Sequence, residues 1–286
     1  MSMGRFTKQV GARSVRKALM AMPLAVFAVG CGGELPEQGQ TEGDVPVAPS
    51  EAVEQTEQGV VLGGSYWWGI SSGVSQLNMG TSVGRTCFLT GVQGNLKPGS
   101  SANTNSVYAY IYAGNWYLAI SQNNNMALGA GVQCINTDTN RTLDGVWFKG
   151  DPARLLGAVT AQRRCFLTRV EGSGGFTTNA DYARVWNDGL NWYLGGSLTG
   201  EGGARARCVD VPTDQGSWGY GAGDPGGFTA NMTYNPGGVA CMLTGLGGHF
   251  TANSFTDGVS IDYNAGTRYW EMTVVNGKRG WSSCVK

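Results

Sequence analysis

One stretch of this chain occurs three times. Cys87-Phe88-Leu89-Thr90-Gly91-Val92 is followed by Trp116-Tyr117-Leu118 and then Cys134. Cys165-Phe166-Leu167-Thr168-Arg169-Val170 is followed by Trp192-Tyr193-Leu194 and Cys208. Cys241-Met242-Leu243-Thr244-Gly245-Leu246 is followed by Trp270-Glu271-Met272 and Cys284. The opening cysteines stand 78 and 76 residues apart, and the two within each copy 47, 43 and 43 apart. A Trp-bearing stretch precedes each copy's first cysteine: Tyr66-Trp67-Trp68-Gly69, Trp147-Phe148-Lys149-Gly150 and Trp218-Gly219. Such a period constrains the architecture before any single segment does, because every copy must solve the same packing problem. Six cysteines allow 15 pairings. Repetition selects Cys87–Cys134, Cys165–Cys208 and Cys241–Cys284, in which each copy closes on itself. Zinc is the competing use of these thiols, but no Cys-x-x-Cys occurs and the chain has one His.

Within a copy the pattern is that of strands. Val107–Tyr112 alternates small or aliphatic residues with Tyr, turns at Ala113-Gly114-Asn115 and continues into Trp116–Ile120. Tyr182–Trp186 and Trp192–Leu194 flank Asn187-Asp188-Gly189, and Val259–Tyr263 and Tyr269–Val275 flank Asn264-Ala265-Gly266. β-Branched and aromatic runs around Asx-Gly-type turns are hairpin signatures. Asn276-Gly277 predicts a further hairpin leading to Cys284, and Asp151–Gln162 a short helix. The expected fold is all-β: three repeated, roughly four-stranded antiparallel units over residues 61–140, 141–214 and 215–286, one disulfide each. A β-prism-like assembly about a pseudo-threefold axis is favoured, since closure hides strand edges. A β-trefoil-like fold and tandem small β units are the alternatives. Composition agrees. With 47 Gly among 286 residues a largely helical protein is disfavoured. A net charge of zero excludes nucleic-acid binding driven by a basic excess.

The N-terminus is different. Residues 1–17 carry Arg5, Lys8, Arg13, Arg16 and Lys17 with no acid, and 18–30 form an apolar run of 13, too short to span a bilayer. This reads as a secretory signal over 1–30. Residues 31–60 hold seven acids and three prolines with no base, which reads as a disordered acidic tether.

The run ends at Ala28-Val29-Gly30-Cys31, which resembles the lipobox of bacterial lipoproteins, with Ala28 where that family usually has Leu. The resemblance implies diacylation of Cys31 and a membrane anchor. It also implies an exported outer-membrane or cell-surface lipoprotein of a Gram-negative bacterium, since Gly32 rather than Asp follows the cysteine. Cys31 is also the one cysteine of seven outside the repeated scheme. The Cys-Phe-Leu-Thr-Gly-Val and Trp-Tyr-Leu-Gly-Gly strings resemble modules of secreted myxobacterial lipoproteins, a likeness that covers residues 62–286 and brings little function with it.

Three motifs are weak. Gly69-Ile70-Ser71-Ser72-Gly73 matches a nucleophile elbow, which needs a strand, a helix, a His and an acid around it. His249 is the one base on offer, so an enzyme is not expected. Gly221-Ala222-Gly223-Asp224-Pro225-Gly226 matches a dinucleotide loop, but Pro225 and Gly227 argue against the helix it must open. Asn136, Asp138 and Asn140 space oxygens by two, as calcium loops do, without the Gly and Glu of an EF-hand. No cofactor is expected, and weak calcium binding stays open.

The aromatics carry the functional reading. Tyr108, Tyr110 and Tyr112 share one face of a strand by period-two alternation. Tyr182, Arg184 and Trp186 form the matching face in the second copy, and Val259, Ile261 and Tyr263 that in the third. With Asn115 and Asn191 nearby, the first two faces have the rings and polar groups of a ligand site. The expectation is a lipid-anchored surface protein that binds extracellular or envelope glycans. The alternative is a structural envelope protein or adhesin that engages other proteins.

Overall fold

A computed structural model of the chain describes residues 60–98, 103–223 and 225–286. The signal, the Cys31 anchor and the tether lie outside these residues, apart from Val60. The first copy forms β1 (Leu62–Ile70), β2 (Gly73–Thr81), β3 (Thr86–Gly94), β4 (Asn105–Tyr112), β5 (Asn115–Gln122) and β6 (Leu128–Ile135). The second forms β7 (Gly145–Phe148), β8 (Arg154–Ala158), β9 (Arg163–Ser173), β10 (Tyr182–Asn187), β11 (Asn191–Ser197) and β12 (Glu201–Asp210). The third forms β13 (Asp214–Gly221), β14 (Gly227–Tyr234), β15 (Ala240–Gly247), β16 (Gly258–Asn264), β17 (Tyr269–Val275) and β18 (Arg279–Val285).

The strands build three antiparallel six-stranded sheets, each shared by two copies. Sheet I runs β1-β6-β3-β16-β17-β14, sheet II β2-β5-β4-β9-β12-β7, and sheet III β13-β18-β15-β10-β11-β8. Each copy gives its first, sixth and third strands to one sheet and its fourth, fifth and second to the next. Strand β16 of the last copy pairs with β3 of the first, through Gly258–Gln93, Val259–Val92 and Ser260–Gly91. The ring is therefore closed, and the units are not tandem beads.

The repeated motif has a place for each residue. Its cysteine sits opposite its partner on the neighbouring strand, in all three disulfides Cys87–Cys134, Cys165–Cys208 and Cys241–Cys284. The next residue points down the axis: Phe88, Phe166 and Met242 cluster with Val60, Ile135, Val209 and Val285 at one pole. Leu89, Leu167 and Leu243 enter the main core. Thr90, Thr168 and Thr244 are left out of the pairing register as bulges, and a bulge bends and twists its strand, as a closing sheet requires. At the other pole Leu96, Phe176 and Phe250 are fully buried. There Leu96 N donates to Phe250 O at 2.8 Å and Phe250 N to Phe176 O at 2.7 Å. Val60 places the entry of the chain at the Phe88 pole. Three disulfides mark an exported chain that oxidises its thiols. No helix among the described residues is long and apolar enough to cross a membrane.

Closing a loop of 43 residues stabilises by about 4 kcal/mol in the chain-entropy model. Replacing Cys165 and Cys208 together with Ser is expected to lower the unfolding free energy by up to about that amount. Guanidinium titration without reductant checks it; a loss under 1 kcal/mol rejects the role.

Several expectations are corrected. Each copy has six strands, because the Trp-bearing stretch (β1, β7, β13) and a following strand (β2, β8, β14) add to the four read from the hairpins. Residues 151–162 contain β8, not a helix. Its Arg154–Ala158 pairs with β11, and Gly157 takes φ +140°, so tertiary pairing overrides the local helical preference. Asn276-Gly277 does not close a hairpin: it carries the chain from β17 in sheet I to β18 in sheet III.

Candidate functional site

Alternation puts every second residue of the shared sheets outside. Across the middle of sheet II the outward row is Val146, Arg205, Arg169, Tyr108, Ala119 and Gln76. Tyr110 pairs with Tyr117 and Tyr112 with Asn115 on the same face. The rings form a continuous patch, with Tyr108–Tyr110 centroids 4.9 Å apart and Tyr110–Tyr117 5.6 Å. Tyr110 donates to Gln76 Oε1 at 2.7 Å, and the Arg169 guanidinium lies 4.9 Å from the Tyr108 centroid while pairing with Glu171. Tyr112 is 67% exposed. Asn115 turns its amide back on Ala113 O, at 3.5 Å.

In sheet III the equivalent row is Gly219, Trp281, Gly245, Arg184 and Gly195. The Arg184 guanidinium sits 5.5 Å from Trp186, 5.8 Å from Trp281 and 5.9 Å from Tyr182. No ion pair of Arg184 is found among the described residues, and its Nε has no hydrogen-bond partner. Trp186 stacks on Tyr193 at 5.9 Å, and Asn191 lies on that same side of β11. Glycine is required beneath the rings: a Cβ at Gly245 would stand 2.5 Å from Arg184 Cβ, and one at Gly195 2.9 Å from the Trp186 ring.

The sequence-predicted residues thus form two patches on two sheets. Tyr108, Tyr110, Tyr112 and Asn115 lie on sheet II, and Tyr182, Arg184, Trp186 and Asn191 on sheet III. In the third copy the outward face lies one residue away from the expected one. Val259 and Ile261 are buried, and the outward residues of β16 are Gly258, Ser260, Asp262 and Asn264. A one-residue slip exchanges the faces of a strand, and the apolar run Val259–Ile261 is what the core takes.

Sequence reasoning missed two openings on sheet I. Below the Gly91–Ser260 pair, β16 and β3 part company at the Thr90 bulge. A cleft of about 410 Å³ opens there, lined by Ser65, Trp67, Thr90, Gln133, Asp262 and Tyr263 among others. A second, of about 490 Å³, shares Ser65, Gln133, Tyr263 and Trp270 with it and continues to Arg268. Trp67 is 52% exposed and meets Phe255 edge-on at 5.6 Å. The signal in the chain was Gly131, which stands where the other copies have Arg205 and Trp281.

Burial, and after it the phenols of Tyr108, Tyr117 and Tyr112, push the Tyr110 phenol above its ordinary value. The folded protein then holds a proton that the unfolded chain loses near pH 10. This contribution to stability is whole below about pH 10 and is lost as pH rises through the folded-state value. Tyr110→Phe is expected to flatten the fall in stability above about pH 10; denaturant titrations at alkaline pH with an unchanged slope would contradict this.

The weak motifs resolve into structure. Ser71 and Ser72 bend the chain between β1 and β2, strand to strand, and His249 Nδ1 meets Asn179 Oδ1 at 2.6 Å. The 221–226 glycines join β13 to β14, with Asp224 outside the described residues. In the Asx-rich turn Asp138 Oδ2 accepts from Gly84 N at 2.9 Å. Asn140 donates to Asp210 Oδ2 at 2.7 Å, and Asp210 Oδ1 pairs with Arg163 at 2.8 Å. These carboxylates already have protein partners. No group of three or more metal-ligating side chains occurs among the described residues. No family model, curated protein or solved structure matches this chain.

Proposed function

We propose that this is a lipid-anchored, non-enzymatic envelope protein that binds glycans through the outward faces of its sheets. The observation that carries the reading is the Arg184 guanidinium, without an ion pair among the described residues, set among Tyr182, Trp186 and Trp281 on a glycine floor. Aromatic faces stack on the apolar faces of sugar rings, while guanidinium and amide groups bond hydroxyls and carboxylates. The Tyr108–Tyr110–Tyr117 patch repeats this on sheet II, and linked weak sites gain avidity without new contacts. The anchor rests on Cys31, which has no counterpart in the repeated scheme. The chain enters the fold at the Phe88 pole, which leaves the sheet faces lateral to any attachment.

An array of bacterial and host polysaccharides tests the reading. Arg184→Ala and Tyr110→Ala are each expected to weaken binding at least tenfold while a cooperative thermal melt is retained. Binding indifferent to both removes these faces from the proposal. No binding at all, with a protein partner captured by cross-linking, replaces it with the adhesin reading.

A further inference from the structure

The three copies carry three different residues at one outward position of their last strand. Gly131 stands beside Gly91 and Ser260; its equivalents are Arg205, beside Arg169 and Tyr108, and Trp281, beside Gly245 and Arg184. Two residues on, Gln133 corresponds to Arg207 and Ser283. In the second copy this place narrows to a cavity of about 210 Å³ that Asp144, Arg169 and Arg205 line. Arg207 pairs with Asp144 at 2.6 Å, and the bulge residue Thr168 donates to Asp144 at 3.1 Å. In the third copy the Trp281 ring covers the strand, 3.0 Å from where a Cβ of Gly245 would be.

In the first copy the position is bare. Gly131 has no side chain, and a Cβ there would stand 2.6 Å from Thr90 Oγ1. Gln133 is 2% exposed, lines both cavities, and its Oε1 accepts no hydrogen bond from the described residues. A buried acceptor without a donor destabilises the fold. Two of the three copies avoid that cost at this position, so its presence in the first calls for an explanation. Around Gln133 the cleft offers the exposed rings of Trp67 and Tyr263, the hydroxyls of Ser65 and Thr90, and the Asp262 carboxylate. These are ring faces, hydroxyls that donate and accept, and a carboxylate, with no cation among them. The one guanidinium, Arg268, is at the far end of the second cavity.

We propose that this cleft binds a neutral hexopyranose unit, with Gln133 Oε1 and the Asp262 carboxylate accepting its hydroxyl hydrogens and Trp67 stacking on its ring. The proposal rests on the glycan-binding reading and assigns it a site outside the two predicted patches. The cavities are of the size that encloses small ligands.

The test is calorimetric titration of the protein with cellohexaose, maltohexaose, mannohexaose and chitohexaose, with polygalacturonate as the anionic counterpart. At least one neutral hexasaccharide is expected to bind. Gln133→Met is expected to weaken it about tenfold or more and to leave the melting temperature equal or higher, because the orphaned acceptor is gone. Trp67→Ala is expected to abolish it. Binding unchanged in both variants, or confined to polygalacturonate and lost in Arg184→Ala, overturns the cleft while glycan binding stands. Binding of none of these saccharides, on a polysaccharide array as well, overturns both.

Discussion

A chain that ends at Asp210 is expected not to fold. Were the copies independent, it would keep two intact units. Instead, losing residues 211–286 takes β16, β17 and β14 from sheet I and β13, β18 and β15 from sheet III. Strands β3 and β10 become bare edges, which invite pairing with other chains. Phe88 and Phe166 lose Met242 at one pole, and Phe176 loses Phe250 at the other. Wetting these three rings, at about 1.5–3 kcal/mol each, already rivals the whole stability of an ordinary domain, about 5–15 kcal/mol. The truncated chain should lack near-ultraviolet circular dichroism and a cooperative melt. Two-thirds of the native signal with a cooperative transition would mean that the copies fold alone.

The second large effect is at Lys278. Its side chain is fully buried, and its Nζ lies 2.5 Å from Asp257 Oδ1, 3.3 Å from Asn276 O and 5.3 Å from the Phe250 centroid. It follows Asn276-Gly277, where φ is 48° and 68° as the chain passes from sheet I to sheet III. Asp257 O accepts Gly94 N at 2.8 Å, so the pair ties the crossing of the third copy to the first. Lys278→Met leaves a buried carboxylate without its counter-charge and is expected to cost about 3–5 kcal/mol. Adding Asp257→Leu should restore most of that, since an apolar pair can replace a buried ion pair. Denaturant titration of both variants checks it; a single-variant loss under 1 kcal/mol would show that the pair carries little.

What was legible in the chain is what local physics writes there. The hairpins at Ala113-Gly114, Asn187–Gly189 and Asn264–Gly266 follow from turn chemistry between strand-forming runs. The cysteine pairing follows from repetition. Sheet membership does not show in the sequence, because nothing near Val259 says that its partner is Val92, more than 160 residues away. The added strands are Gly-rich and lie at sheet edges, as with Gly63-Gly64 and Gly69 in β1 or Gly157 in β8, and so carry little alternation. In Val259–Tyr263 the apolar residues face the core, and alternation alone does not tell them from the outward face that Tyr108–Tyr112 presents. The aromatic patches were visible as residues, but their flat setting depends on glycines of neighbouring strands. The Gln133 cleft was invisible, since an unpartnered amide exists only once its surroundings are folded.

The central claim is that three copies close one ring of shared sheets, and the seam between first and last copies tests it most directly. In nuclear magnetic resonance spectra of the labelled protein, backbone nuclear Overhauser contacts are predicted between Gly91 and Ser260 and between Val92 and Val259. Contacts that instead join the Val259 strand to β15 of its own copy would contradict the account.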